Sequence, residues 1–195
     1  MNTIKKISIL TFLFLFYFLV GCNHNIRPNT NLPPEAKDGL SMLDEWRSGC
    51  EQSVKMLKTY YKPESNEYKK AYSSYIETKT KSDAWIETLI TDLQMGGKPS
   101  NRYKSLLEEA AAQTVEFKNY VKSVCTSQPS TKGVPEILAP INIGDIIEKL
   151  TNAGIKIWEV WHKTKGEEQA NIVNLIKGKK WLDFNDIKEV GAERP

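Results

Sequence analysis

Three successive stretches of about 25 residues carry their apolar side chains at steps of three, four and seven, and no segment alternates apolar with polar residues long enough to make a strand. That one periodicity confines most of the chain to amphipathic helices. In the first stretch Leu40, Leu43, Cys50, Val54, Leu57 and Tyr61 fall on one stripe of a helix from about Ala36 to Tyr61. Lys62-Pro63 ends it, because the residue before a proline is pushed out of the α region. A second helix starts near Ser65 with Tyr68, Ala71, Tyr72, Tyr75 and Ile76 on one face, and carries Trp85, Ile86, Leu89, Ile90 and Leu93 further along. Between these halves lies KTKSD, residues 79 to 83, which leaves either a break or a solvent-exposed middle. Gly96-Gly97-Lys98-Pro99 stops the helix. The third opens on Ser100 or Asn101 as its cap and places Tyr103, Leu107, Ala110, Thr114, Phe117, Val121 and Val124 on a near-heptad stripe ending around Cys125. Short connections between long amphipathic helices predict an all-α, antiparallel three-helix bundle over 36–126.

Residues 127–142 contain Pro129, Pro135 and Pro140 and read as a linker. A C-terminal helical region, 143–195, follows. Its stripe is Ile143, Ile146, Ile147, Leu150, Ala153, Gly154, Ile157, Trp158 and Trp161, with Ile172, Val173, Leu175 and Ile176 continuing it to about Lys177. Gly178 suits a helix end, and Trp181, Phe184 and Ile187, spaced by three, predict a short helical turn that packs back.

Ahead of the bundle the chain has a different character. Lys5 and Lys6 precede an apolar run, Ile7 to Val20, too short for the roughly 20 residues of a spanning helix, and Leu19-Val20-Gly21-Cys22 closes it. This segment resembles the lipobox of bacterial lipoproteins. The resemblance covers the first 22 residues and implies that 1–21 is a signal peptide, that Cys22 becomes the lipid-bearing N-terminus, and that the membrane is reached through that lipid. Asn23, next to the cysteine, is not the aspartate that in this family typically retains a protein in the inner membrane. The resemblance therefore implies the outer membrane, facing the periplasm, in a Gram-negative host, and the outer face of the plasma membrane in a Gram-positive one. Residues 22–35 follow as a tether, since NHNIRPNTNLPPE has three prolines and too little apolar content to order itself.

Losing Lys5 and Lys6 reduces 27 basic residues to 25 against 24 acidic ones, so no concentrated positive face remains for nucleic acid. With Cys22 committed to lipid, Cys50 and Cys125 remain as an even pair in a compartment that permits disulfides. Both lie on apolar stripes of parallel helices, at heights about two turns apart at most, and the reading is a Cys50–Cys125 disulfide closing a long loop.

Chemistry is thinly represented. His24 lies in the tether, and His162 borders an apolar stripe, where a lone histidine is ordinarily a packing or surface residue. No histidine pair, CxxC or acidic calcium loop suggests a metal, no glycine-rich phosphate loop or GxSxG occurs, and no cofactor is implied. Glu108-Glu109 and Glu167-Glu168 are adjacent, hence about 100° apart on a helix, and read as solvated faces. The expectation is a non-enzymatic lipoprotein that binds or scaffolds an unidentified envelope protein, offering Ile147, Leu150, Ile157, Trp158 and Trp161 as the partner face. Two other readings stay open: an immunity or exclusion lipoprotein that neutralises an incoming effector, and an envelope hydrolase built on His162 and a carboxylate in a concave site.

Overall fold

A proline in the first helical turn supplies a helical φ and gives up an N–H that has no partner there. In the computed structural model, which describes residues 32–96, 98–127 and 142–188, α1 accordingly begins at Pro34 and runs Pro34–Tyr60. It stops where Tyr61 turns extended ahead of Lys62-Pro63. α2, Asn66–Gln94, and α3, Asn101–Thr126, each start on a serine cap. Ser65 Oγ accepts the Tyr68 N–H at 3.2 Å, and Ser100 Oγ accepts the Tyr103 N–H at 3.1 Å. α2 is unbroken through residues 79–83, because its small polar side chains satisfy themselves locally. Ser82 donates to the Thr78 carbonyl at 2.7 Å and Thr78 to the Ser74 carbonyl at 2.8 Å, so both are buried without cost in unpaired groups. Lys79 pairs with Asp83 at 2.6 Å and Lys81 with Glu109 on α3.

α4, Ile143–Lys163, does not continue to Lys177 as its stripe suggested. Thr164 is extended and Gly166 takes φ +58°, so the chain turns and restarts as α5, Glu167–Lys177, with two glutamates in its first turn. The described residues thus form five α-helices and one 3₁₀ turn, Phe184–Asp186, with no strand among them. No helix among them is long and apolar enough to cross a membrane.

Residues of all five helices and of the C-terminal segment meet in one hydrophobic core. α3 lies along α2, while α1 packs chiefly on α4, antiparallel to it, and makes little direct contact with α2. The pairing of α1 with α4 is registered by two ion pairs, Lys156 with Asp38 at 3.0 Å and Lys149 with Glu45. Gly39 permits the close approach: a Cβ there would lie 2.9 Å from the Ala153 carbonyl oxygen. The space across α1 and α2 is filled by the C-terminal strap, whose Trp181, Phe184 and Ile187 are buried as their spacing predicted. Donors hold it by its backbone. Lys58 Nζ donates to the Phe184 and Ile187 carbonyls at 2.7 Å each, Tyr75 Oη to the Leu182 carbonyl at 2.9 Å, and Arg47 to the Gly178 carbonyl at 3.0 Å. Trp181 packs edge-on against Trp46, and Phe184 against Tyr68, Tyr72 and Tyr75.

The Cys50–Cys125 disulfide is not formed; both residues are buried free thiols. Register explains why. Trp46 Nε1 donates to Thr114 Oγ1 at 3.1 Å between the parallel helices α1 and α3, which puts Cys50 level with residue 118. Cys125 stands seven residues higher, about 10 Å along the axis at 1.5 Å per residue, whereas a disulfide needs Cα atoms within about 7 Å. Burial pushes the Cys50 thiol up to about 12 and the Cys125 thiol up to about 11, with Lys118 pulling weakly the other way at Cys50. A thiol whose folded pKa is raised favours the fold fully below its ordinary value near 9 and loses that contribution as pH climbs toward the folded value. Both cysteines should therefore resist alkylation at pH 8 in the native protein and both react once it is unfolded without reductant, and the denaturation midpoint should fall between pH 9 and 11. An unfolded, unreduced chain in which these two cysteines stay unreactive would restore the disulfide.

Candidate functional site

A groove of about 540 Å³ lies between the N-terminal part of α3 and most of the length of α4. α3 contributes Tyr103, Lys104, Leu107 and Glu108, and α4 contributes Ile147, Thr151, Gly154, Ile155, Trp158, Glu159 and His162, with Pro99 at one end. The steps of three and four on each helix are what place these side chains on facing walls. The floor is fixed by Tyr103. Its ring meets Trp158 edge-on at 5.7 Å and Trp85 at 5.5 Å, and its hydroxyl lies so close to Gly154 that a Cβ there would come within 2.2 Å of it. Burial raises the Tyr103 hydroxyl above its ordinary pKa, so it remains a neutral group in the floor. Leu107 is buried beside it, Ile147 is half-buried, and Ile155 is 50% exposed over the groove. Charged and polar groups, Lys104, Glu108, Glu159 and His162, are exposed on the banks.

The expected partner face is split by this arrangement. Ile147 and Trp158 line the groove, but Leu150 and Ile157 are fully buried and Trp161 is 8% exposed, turned into the shared core. α4's stripe is wide enough to cover α1 with one side and border α3 with the other. Cys22 and His24 lie outside the described residues. Among sequence features, Gly154 was the available signal for the floor, since a glycine inside a helical stripe marks a close approach; nothing singled out Tyr103 as the residue approaching it.

His162 does share a concave site with two carboxylates, Glu159 and Glu108. Among the described residues no hydrogen bond joins His162 to either carboxylate. Among them also, no cluster of three or more histidine, cysteine or acidic side chains is placed to hold a metal ion. What the groove can do chemically is remove apolar surface from water while its banks meet a polar or charged group.

No family model, curated protein or solved structure matches this chain.

Proposed function

We propose that this chain is an envelope lipoprotein, attached through a lipid on Cys22 to the outer membrane and facing the periplasm, and that it works by binding, without catalysis, through the groove between α3 and α4. The lipobox-like Leu19-Val20-Gly21-Cys22 after a short apolar run supports the anchor, and Asn23 supports the outer membrane. The observation that carries the binding half is the apolar floor of Tyr103, Leu107, Ile147 and Trp158 in a groove whose volume lies within the usual range for ligand sites. Leu150 and Ile157 are fully buried, which supports taking the α3 side of α4 as the binding surface in this proposal.

A photo-crosslinking amino acid placed at Ile155 in intact cells tests this reading. A discrete adduct is expected from position 155, lost when Ile147→Glu puts a charge in the groove, and no such adduct is expected from exposed Lys69 on α2. Equal labelling from both positions, or none from 155, would count against the groove as the functional site. The hydrolase reading keeps one supporting observation, His162 beside Glu159, and predicts that His162→Ala abolishes an activity; on the binding reading that substitution leaves the adduct at 155 in place.

A further inference from the structure

α5 does not lean on the helix it follows. Its packing is on α2 and α1, with hardly any on α4, and it buries Ile172, Val173 and Ile176. The strap continues on the same two helices. Arg47 and Lys58 of α1 and Tyr75 of α2 donate to its carbonyls at residues 178, 180, 182, 184 and 187, and Asp83 Oδ1 of α2 accepts the Trp181 N–H at 3.0 Å. Charges match as well: Lys179 pairs with Asp44 on α1, and on α2 Lys180 pairs with Glu87 at 2.5 Å and Asp183 with Lys79 at 3.9 Å. Residues 164–188 are thus an arm, tied to α4 through Thr164–Gly166 but seated mainly on α1 and α2.

The turn between α4 and α5 has an alternative. No proline lies between Ile143 and Gly178, and Ile157, Trp161, Thr164, Ile172 and Leu175 keep helical steps of three, four and eight straight through the break. Gly166, at φ +58°, makes the reversal. Straightened, α4 and α5 would form one helix over 143–177, about 52 Å long at 1.5 Å per residue, and would carry the strap away from its own α1 and α2. The Trp161 carbonyl keeps a partner in either form. It now accepts from the side chains of Thr164 at 3.3 Å and Gln169 at 3.1 Å, and in a straight helix it would accept the Lys165 N–H four residues on.

We propose that this chain pairs with a second copy of itself by exchanging arms, α4 and α5 straightening so that residues 167–188 of each copy lie on α1 and α2 of the other. Every group that holds the arm at home, from Arg47 and Lys58 to Tyr75 and Glu87, stands at the same spacing on the second copy. Exchange keeps Trp181, Phe184 and Ile187 buried and alters only the hinge, the low-cost route by which identical chains associate. Charge complementarity selects this occupant: lysines at 179 and 180 and an aspartate at 183 meet Asp44, Glu87 and Lys79 in register.

Zero-length carbodiimide coupling of the full chain provides the test, because the ion pair of Lys180 with Glu87 is exposed and close enough to be joined as an amide. Chains grown on ordinary and on heavy nitrogen are mixed in equal amounts, unfolded and refolded together, and coupled, and the Lys180–Glu87 peptide pairs are read by mass spectrometry. Exchanged dimers give pairs of which half carry both labels, whereas arms folded at home give none. Gly166→Ala should raise the mixed share by up to about fivefold, since alanine is disfavoured at a positive φ and favoured in a straight helix, and nothing lies within 4 Å of where its Cβ would sit. Lys165→Pro should lower the share by at least as much, because Thr164 is already extended, as the residue before a proline prefers, and a proline there breaks the straight helix. The share is counted among all Lys180–Glu87 pairs, so a variant that loses the arm altogether does not imitate either change. No mixed pairs in the wild type, a mixed share that Lys165→Pro leaves unchanged, or one that Gly166→Ala lowers would each overturn the proposal.

Discussion

Replacing Trp85 with alanine should lower the melting temperature by about 6–20 °C, the largest stability loss expected from a single substitution in this chain. Trp85 is fully buried and sits between Trp46, at 5.8 Å between ring centroids, and Tyr103, at 5.5 Å. It therefore joins two sides of the molecule. Trp46 carries the contact on to Trp181 in the C-terminal strap, and Tyr103 carries it to Trp158 in the groove. Truncating a buried tryptophan costs about 3–5 kcal/mol, because the surrounding helices cannot collapse onto the space it leaves. Each kcal/mol corresponds to about 2–4 °C in a protein of 150–250 residues. Ile155→Ala, at a half-exposed position, should by contrast stay within roughly 0.5 kcal/mol of wild type. Thermal melts of the two variants check both statements, and a loss below about 3 °C for Trp85→Ala would contradict a core organised around that residue.

Trp158→Ala and Trp161→Ala belong to the same experiment. As surface anchors they would leave the melting temperature nearly unchanged, but at 8% exposure each should also lower it substantially. The difference between them lies in the groove, since Trp158 lines it and Trp161 does not.

Local features of the chain were readable in advance because local chemistry decides them. Pro63 ends α1, Ser65 and Ser100 cap the next two helices, and Trp181, Phe184 and Ile187 fold back as their spacing implied. The polar run at 79–83 was ambiguous, because whether Thr78 and Ser82 break a helix or bond back into it depends on the neighbour that buries them. The turn at Thr164–Gly166 was missed although Gly166 and the two glutamates after it mark a helix start.

Relations between helices were not readable, for a geometric reason. The height of Cys50 against Cys125 sums uncertainties from three helix ends, and an error of a few residues separates a disulfide from two thiols about 10 Å apart. Which helix would receive α4 was equally open. Leu150 and Ile157 belong to the same stripe as Ile147 and Trp158, and only Gly39 on α1, meaningful once Ala153 and Ile157 are known to approach it, assigns the first pair to the core. The groove was hidden for the same reason: Tyr103 and Gly154 come together from helices 51 positions apart in sequence, and neither announces the other.

The anchor is the premise on which the membrane reading depends, and palmitate labelling in cells examines it directly. If Cys22 carries the lipid, labelled palmitate should enter the wild-type chain, and Cys22→Ser should take up none and remain as the unprocessed precursor, larger by its first 21 residues. The same variant, with its thioether site gone, should show no cleavage before residue 22. Equal palmitate labelling of wild type and Cys22→Ser, or identical processing of the two, would contradict the lipoprotein assignment.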